Sequence, residues 1–240
     1  MLTKSQIKYI QSLGHKKFRD EEGLFIAEGP RIVEEWLTQD AAAFQAIYAL
    51  PEWVAAHPDA NAAEISVAEL EKISQLQQPN QVLALIKKWP DTVPVVNATQ
   101  WILALDGIQD PGNLGTIIRI ADWFGITNII CQEGTVDVYN PKVVQATMGS
   151  LARIRTSYRD LAAWLQQHPD LRVYAASLEG QDVKQIKPNS RGVLIIGNEA
   201  RGISEPVMQQ VNVRITIPRK GGAESLNAAV ATGILLSHLA

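Results

Sequence analysis

Five short strand-like runs, most of them apolar on consecutive positions, are spread over the second part of the chain: Trp101-Ile-Leu-Ala-Leu105, Asn128-Ile-Ile-Cys131, Arg172-Val-Tyr-Ala-Ala176, Gly192-Val-Leu-Ile-Ile196 and Val213-Arg-Ile-Thr-Ile217. A strand with one wet face alternates apolar and polar residues, so runs of this kind need cover on both faces. Helical stretches lie between them, from Asn113 to Phe124, from about Pro141 to Gly149, and from Ser225 onward. This alternation predicts an α/β fold, a parallel sheet with helices on both sides. In such a sheet, ligand contacts gather where strands stop and loops begin.

The first ninety residues predict a smaller α/β unit. Ile7, Ile10 and Leu13 share a helical face that Gly14 ends, Gly23–Ala27 reads as a strand, and Gly29–Leu37 as a helix with proline in its first turn. A strand over Ala46–Leu50, a helix over Ser66–Ile73 and a strand over Val82–Ile86 follow. Lys87-Lys-Trp-Pro-Asp-Thr-Val-Pro94 concentrates charge and two prolines, the composition of an exposed linker. It predicts two domains, residues 1–92 and 93–240.

Composition excludes several classes. A single cysteine rules out an internal disulfide, and the four histidines (His15, His57, His168, His238) lack metal-ligand spacing, so no metal site is expected. Cys131, closing an apolar strand, reads as an inert buried thiol. No apolar stretch reaches the roughly 20 residues of a membrane span, and Met1–Lys8 lacks the apolar core of a secretory signal, which predicts a cytoplasmic protein. With 9 Lys+Arg against 13 Asp+Glu up to Val93 and 13 against 12 beyond it, neither part is a basic tail. A nucleic-acid partner would meet local patches, such as His15-Lys-Lys-Phe-Arg19 or Arg153, Arg155 and Arg159.

Three loops combine glycine, asparagine and charge. In Asp106-Gly-Ile-Gln-Asp-Pro-Gly-Asn113, Asn113 reads as the N-cap of the next helix, whose free N–H groups favour an anion. Arg119 lies on that helix between Ile118 and Ile120; it either pairs with a carboxylate such as Asp122 or Asp106, or meets substrate. Gly197-Asn-Glu-Ala-Arg-Gly202 follows an apolar strand, and is either a tight turn with Glu199 in solvent or a seat for a ligand lying against the main chain. In the third, Pro218 fixes the strand exit, Gly221 and Gly222 follow, and Ser225 reads as the cap of the last helix. That helix has no acidic or basic residue apart from His238, so it is expected to be buried nearly all round, in the core or against another subunit. No dinucleotide-binding, P-loop or serine-hydrolase motif is present.

Taken in order and spacing, Asn113-x-Gly115 with Arg119, Gly197-Asn-Glu-x-x-Gly202, and Ile217-Pro218 with Ser225-Leu-Asn227 resemble the three motifs of the SpoU (TrmH-type) branch of the SPOUT methyltransferase superfamily. The likeness spans most of residues 100–240. Phe25-Ile-Ala-Glu-Gly29 resembles the start of the L30e-like substrate-binding domain that many members carry.

The resemblance implies an α/β SPOUT domain with a deep C-terminal trefoil knot, preceded by a small L30e-like domain, and a homodimer formed through the catalytic domain. It implies transfer of a methyl group from S-adenosyl-L-methionine to a ribose 2′-hydroxyl of structured RNA, rRNA or tRNA. By the same likeness Asn113, Arg119, Glu199, Ser225 and Asn227 surround the reacting centre. Gly197, Asn198, Gly202, Ile217 and Leu226 hold the cofactor, largely through backbone groups, and the Ser177 loop flanks its adenine. Lys16, Lys17, Arg19, Arg31, Arg119, Arg219 and Lys220 are the expected RNA contacts. Arg219-Lys220 and Ala228-Ala229 depart from the family's usual residues at those places, the first adding positive charge. Two alternatives share the scaffold: an RNA-binding module without chemistry, and an enzyme that methylates a base.

Overall fold

The computed structural model describes residues 1–92, 100–187 and 191–240. Its chain forms two compact units, Met1–Pro90 with Asp137–Ala152, and Asp91–Val136 with Arg153–Ala240.

In the first unit, α1 (Lys4–Ser12) is opened by a Thr3/Gln6 capping box, and α2 (Lys16–Glu22) leads into β1 (Leu24–Glu28). After α3 (Pro30–Asp40) come β2 (Phe44–Ala49), α4 (Pro51–Ala56), β3 (Ala63–Glu64), α5 (Val67–Ile73) and β4 (Val82–Lys87). The strands order as β1-β4-β2-β3. Ile10, Leu13, Leu70 and Ile73 of the helical layer pack on Ile26 and Leu85 of the sheet, so the periodicity seen in the sequence is the burial face.

Two expectations for this unit change. Arg19 is not an RNA contact: it is 2% exposed, its Nη2 and Nε donate to Asp137 Oδ2 at 2.6 and 3.2 Å, and its Nη1 donates to the carbonyls of Leu13 and Gly14. The expected linker is also partly ordered by packing, since Trp89 stacks on Trp36 at 5.2 Å between ring centres and its indole donates to Leu151 O at 3.3 Å. Val93 and Pro94 of that segment lie outside the described residues.

The second unit is built on one six-stranded parallel sheet: β5 (Trp101–Asp106), β6 (Asn128–Gln132), β7 (Arg155–Arg159), β8 (Val173–Asp182), β9 (Gly192–Gly197) and β10 (Val213–Thr216). The helices in chain order are α6 (Pro111–Trp123), α7 (Pro141–Thr147), α8 (Leu161–Gln166), α9 (Glu205–Met208) and α10 (Ala228–Leu239). Of these, α7 groups with the first unit, where Tyr139 packs on Phe25 at 4.8 Å between ring centres. The strand order is β10-β8-β9-β5-β6-β7. The chain runs outward from β5 through β6 to β7, then returns to build β8, β9 and β10 on the other side. The order therefore reverses between β5 and β9, and the carboxyl ends of those two strands make the crevice where open α/β sheets bind ligands.

One irregularity shapes that end of the sheet. Along the β8/β10 pair the partners run Arg214 with Ala175 and then Ile215 with Gln181, so residues 176–180 bulge out of the ladder. Ser177, expected in a loop, thus sits in a bulge within a longer strand. Gly180 is required there, because a Cβ would stand 2.5 Å from Arg214 O.

Cys131 on β6 is fully buried, and burial pushes its thiol up to about 12. A folded-state value above the unfolded value of 9.0 means this contribution to stability is fully present below pH 9 and is lost as pH rises through about 12. At pH 8 the native thiol is expected to resist a soluble disulfide reagent and to react fully only on denaturation. Rapid labelling of the native protein would contradict its burial.

Candidate active site

Three loops leave the carboxyl ends of β5, β9 and β10. The first turns directly into α6, whose N-cap is Asp110 and not Asn113: Asp110 Oδ1 accepts from Asn113 N at 2.8 Å, with Pro111 at the first helical position. Proline there has no N–H to lose, and aspartate is a strong cap, so Asp-Pro outcompetes the asparagine. Asn113 is left with a free side chain inside the first turn.

That side chain joins the loops. Asn113 Nδ2 donates to Glu199 Oε1 at 2.8 Å, and Asn113 Oδ1 accepts from Asn227 Nδ2 at 2.8 Å. Asn227 is also the N-cap of α10, its Oδ1 accepting from Ala229 N and Val230 N at 2.9 and 3.2 Å. Ser225, expected as the cap, lies exposed two residues before it, because asparagine reaches two free N–H groups while still donating through its amide nitrogen. One hydrogen-bonded chain, Glu199–Asn113–Asn227, therefore ties one residue from each loop.

The second loop is fastened from below. Asn198 Oδ1 accepts from Ala200 N and Arg201 N, both at 3.0 Å, and its Nδ2 donates to Gly107 O at 2.7 Å across the β5/β9 crevice. Asn198 and Gly202 exchange backbone hydrogen bonds of 2.9 Å, which folds the loop onto itself. A Cβ on Gly197 would stand 2.4 Å from the carbonyl carbon of Gly202, so only glycine allows the fold. Asp106, 5% exposed, accepts from Ser204 N at 2.6 Å.

These bonds remove the alternative partners of Arg119. Asp122 is held by Arg153, Nη2 to Oδ2 at 2.7 Å, and Asp106 by Ser204. Arg119 is exposed on α6 and has no hydrogen-bond or ion-pair partner among the described residues. The patch expected from Arg153, Arg155 and Arg159 is largely spent internally, since Arg159 pairs with Asp91 at 2.9 Å.

Apolar surface borders the loops. Leu178 on the β8 bulge is 70% exposed and Leu226 47% exposed. Thr216 Oγ1 donates to Leu178 O at 3.1 Å, which brings the bulge beside the exit of β10 and Ile217. Of the two basic residues after Ile217-Pro218, Arg219 donates to Ala223 O at 3.2 Å and Lys220 is exposed. Ser177 Oγ accepts from Glu179 N at 3.3 Å inside the bulge. Sequence reasoning missed Asp110, whose signal was the Asp-Pro pair, and Leu178, which carried none.

A family model described as SpoU rRNA methylase matches residues 100–237. The chain belongs to that family. A second family model, the MRM3-like substrate binding domain, matches residues 4–84 of this SpoU methylase. Among its relatives, the 23S rRNA (guanosine(2553)-2′-O)-methyltransferase RlmP of Bacillus subtilis is 28% identical over 239 residues, 98% of this chain and 95% of the relative. A solved structure from Porphyromonas gingivalis, ascribed to the TrmH family of RNA methyltransferases, is 36% identical and superposes with a TM-score of 0.89 over 99% of this chain and 98% of its own. An AdoMet-bound rRNA methyltransferase from Sinorhizobium meliloti is 32% identical, with a TM-score of 0.86 over 99% and 95%. The SpoU methylase thus has relatives of matching length for both of its units.

Proposed function

We propose that this chain transfers a methyl group from S-adenosyl-L-methionine to a ribose 2′-hydroxyl of ribosomal or transfer RNA. The observation that carries the reading is the Glu199–Asn113–Asn227 chain at the β5/β9 crevice, with Arg119, unpaired among the described residues, on the same helix as Asn113. The AdoMet-bound relative and RlmP support the cofactor and the ribose.

The residues present fit that cofactor. Exposed Leu178 and Leu226 offer apolar faces suited to a flat heterocycle, and the Gly197–Gly202 loop, Ile217 and Leu226 offer main-chain groups. Asn198 shapes the loop from behind, and Ser177 stands on the β8 bulge. Bound there, S-adenosyl-L-methionine supplies an electrophilic methyl on a sulfonium. The protein's task is alignment, which is worth on the order of 7–11 kcal/mol where geometry is ideal. Asn113 and Asn227, locked through both ends of their amides, keep the three loops in one register, while Glu199 is tied to Asn113 and Ser225 stands exposed two residues before Asn227. Arg119 clamps a phosphate of the target and eases loss of the hydroxyl proton by its charge; a guanidinium is a donor without an acceptor site, so it does not take up that proton.

Residues 1–92 serve as the substrate-binding domain and 93–240 as the catalytic domain, in line with the two family models. Arg31, Arg219 and Lys220 supply charge toward RNA. A trefoil knot is supported by the return of the chain end to the first strand of the sheet, where Trp101 Nε1 donates to Leu239 O at 3.1 Å. The expectation for α10 is burial nearly all round, in the core or against another subunit; in the single chain Val230 is 51% exposed, which leaves the second option for that residue. Trp123 on the neighbouring α6 is 85% exposed, and the need to cover such apolar surface supports a homodimer. No described helix is long and apolar enough to cross a membrane; a cytoplasmic enzyme is compatible with the proposed substrates.

The test is transfer of a labelled methyl group to ribosomal or transfer RNA from cells lacking the enzyme, followed by nuclease digestion. A nuclease-resistant labelled dinucleotide is expected, because a 2′-O-methyl group blocks cleavage. Label in a mononucleotide would indicate a base methylase, and no incorporation with either RNA would point to the binding module.

A further inference from the structure

The first unit matches a substrate-binding domain, yet the basic cluster that the sequence offers as its RNA contact is mostly occupied. Arg19 is buried on Asp137, Lys16 pairs with Asp20 at 2.6 Å, and Lys17 reaches Glu21 at 3.8 Å. A different surface has the opposite character. Between α5 and β4 the chain reads Ser74-Gln-Leu-Gln-Gln-Pro-Asn-Gln81, eight residues with five carboxamides and no charge. Gln75, Gln77, Gln78 and Asn80 are exposed, and their side chains have no partner among the described residues.

The loop that displays them is held firmly. Glu28, 4% exposed at the end of β1, accepts from Ser74 Oγ at 2.5 Å through one carboxylate oxygen and from Gln75 N at 2.8 Å through the other. Ser74 Oγ in turn accepts from Leu76 N at 3.0 Å. At the far end Gln81 takes a left-handed φ of 58°, uncommon for a side chain of its size, and its carbonyl accepts from Leu50 N at 2.8 Å. Burying a carboxylate is costly, and burial outweighs these hydrogen bonds in pushing Glu28 upward from the ordinary carboxylate range. A solubilising loop needs no such anchor. Arg31, three residues beyond Glu28, is exposed and has no partner among the described residues.

We propose that residues 74–81 form the face of the first unit that reads unpaired RNA bases, with Glu28 as its positioning residue and Arg31 as the adjacent phosphate contact. The inference rests on the methyltransferase reading above and names where that substrate is recognised. A carboxamide both donates and accepts, which suits the exposed edges of unstacked bases, and it discriminates among them without adding charge.

The probe is ribosomal RNA from cells lacking the enzyme, or transfer RNA if only that is methylated, with the full chain. The triple variant Gln77→Ala, Gln78→Ala, Asn80→Ala is expected to raise KM for RNA on the order of tenfold or more, with kcat and cofactor affinity unchanged. Its salt dependence should match the wild type, whereas Arg31→Ala should lower the salt slope by about one phosphate contact. Glu28→Ala should raise KM like the triple variant, and Glu28→Gln, which can still accept from Gln75 N, should restore most of it. An unchanged KM in the triple variant overturns the inference and leaves the methyltransferase reading intact. A wild-type chain that methylates neither RNA overturns both.

Discussion

Replacing Asp137 by alanine is expected to destabilise the first unit by about 3–5 kcal/mol, the range for stripping one partner from a buried ion pair. The Arg19 guanidinium is 2% exposed and the Asp137 side chain 10%, so without the carboxylate a full positive charge stays in a site with two carbonyls for company. The cost lies in the orphaned charge more than in the lost attraction. Arg19→Met combined with Asp137→Ala, which removes both charges, is therefore expected to recover much of the loss. Urea denaturation followed by tryptophan fluorescence measures both, since Trp36, Trp53 and Trp89 all lie in this unit. A single variant within 1 kcal/mol of the wild type would contradict the buried pair. The same reasoning bears on dissection: a fragment ending at residue 92 loses Asp137, Tyr139 and Leu151, the partners of Arg19, Phe25 and Trp89.

That pairing marks where sequence reading runs out. Apolar runs and helical spacing are local signals, and they locate β1, α3, α5, β4 and the strands β5, β6, β9 and β10 to within a few residues. The choice of partner across 118 residues is not local: in a row of Lys16, Lys17 and Arg19, nothing marks the third as the one that turns inward. The two helix caps went astray for a subtler reason. Asn113 and Ser225 are good cap residues, but each has a better competitor nearby, Asp110 before proline and Asn227, and the displaced Asn113 is then free to join the site. The bulge that carries Ser177 and Leu178 reflects a jump in register against β10, a property of the pair that neither strand holds alone. By contrast, Asn113, Glu199 and Asn227 were legible as a group because their three motifs recur in order, and the hydrogen bonds among them give that order its physical reason.

Arg119→Ala is expected to lower kcat for RNA methylation on the order of 10²–10³-fold, about 2.7–4 kcal/mol, the range for deleting one preorganised group that faces developing charge. Stability should move by no more than about 0.5 kcal/mol, because the side chain is exposed and unpartnered among the described residues. Arg119→Lys separates charge from geometry. A lysine keeps the positive charge but loses the planar fork that grips two phosphate oxygens, so it should recover part of the rate and leave a residual deficit. Single-turnover rates at saturating RNA, with binding measured separately, distinguish these cases. If lysine sustained the full rate with RNA binding unchanged, the clamp would be the wrong role for Arg119. The pH profile adds an independent constraint: a guanidinium donates hydrogen bonds and does not act as the base, so any rise in rate below pH 9 must survive Arg119→Lys and belong to another group.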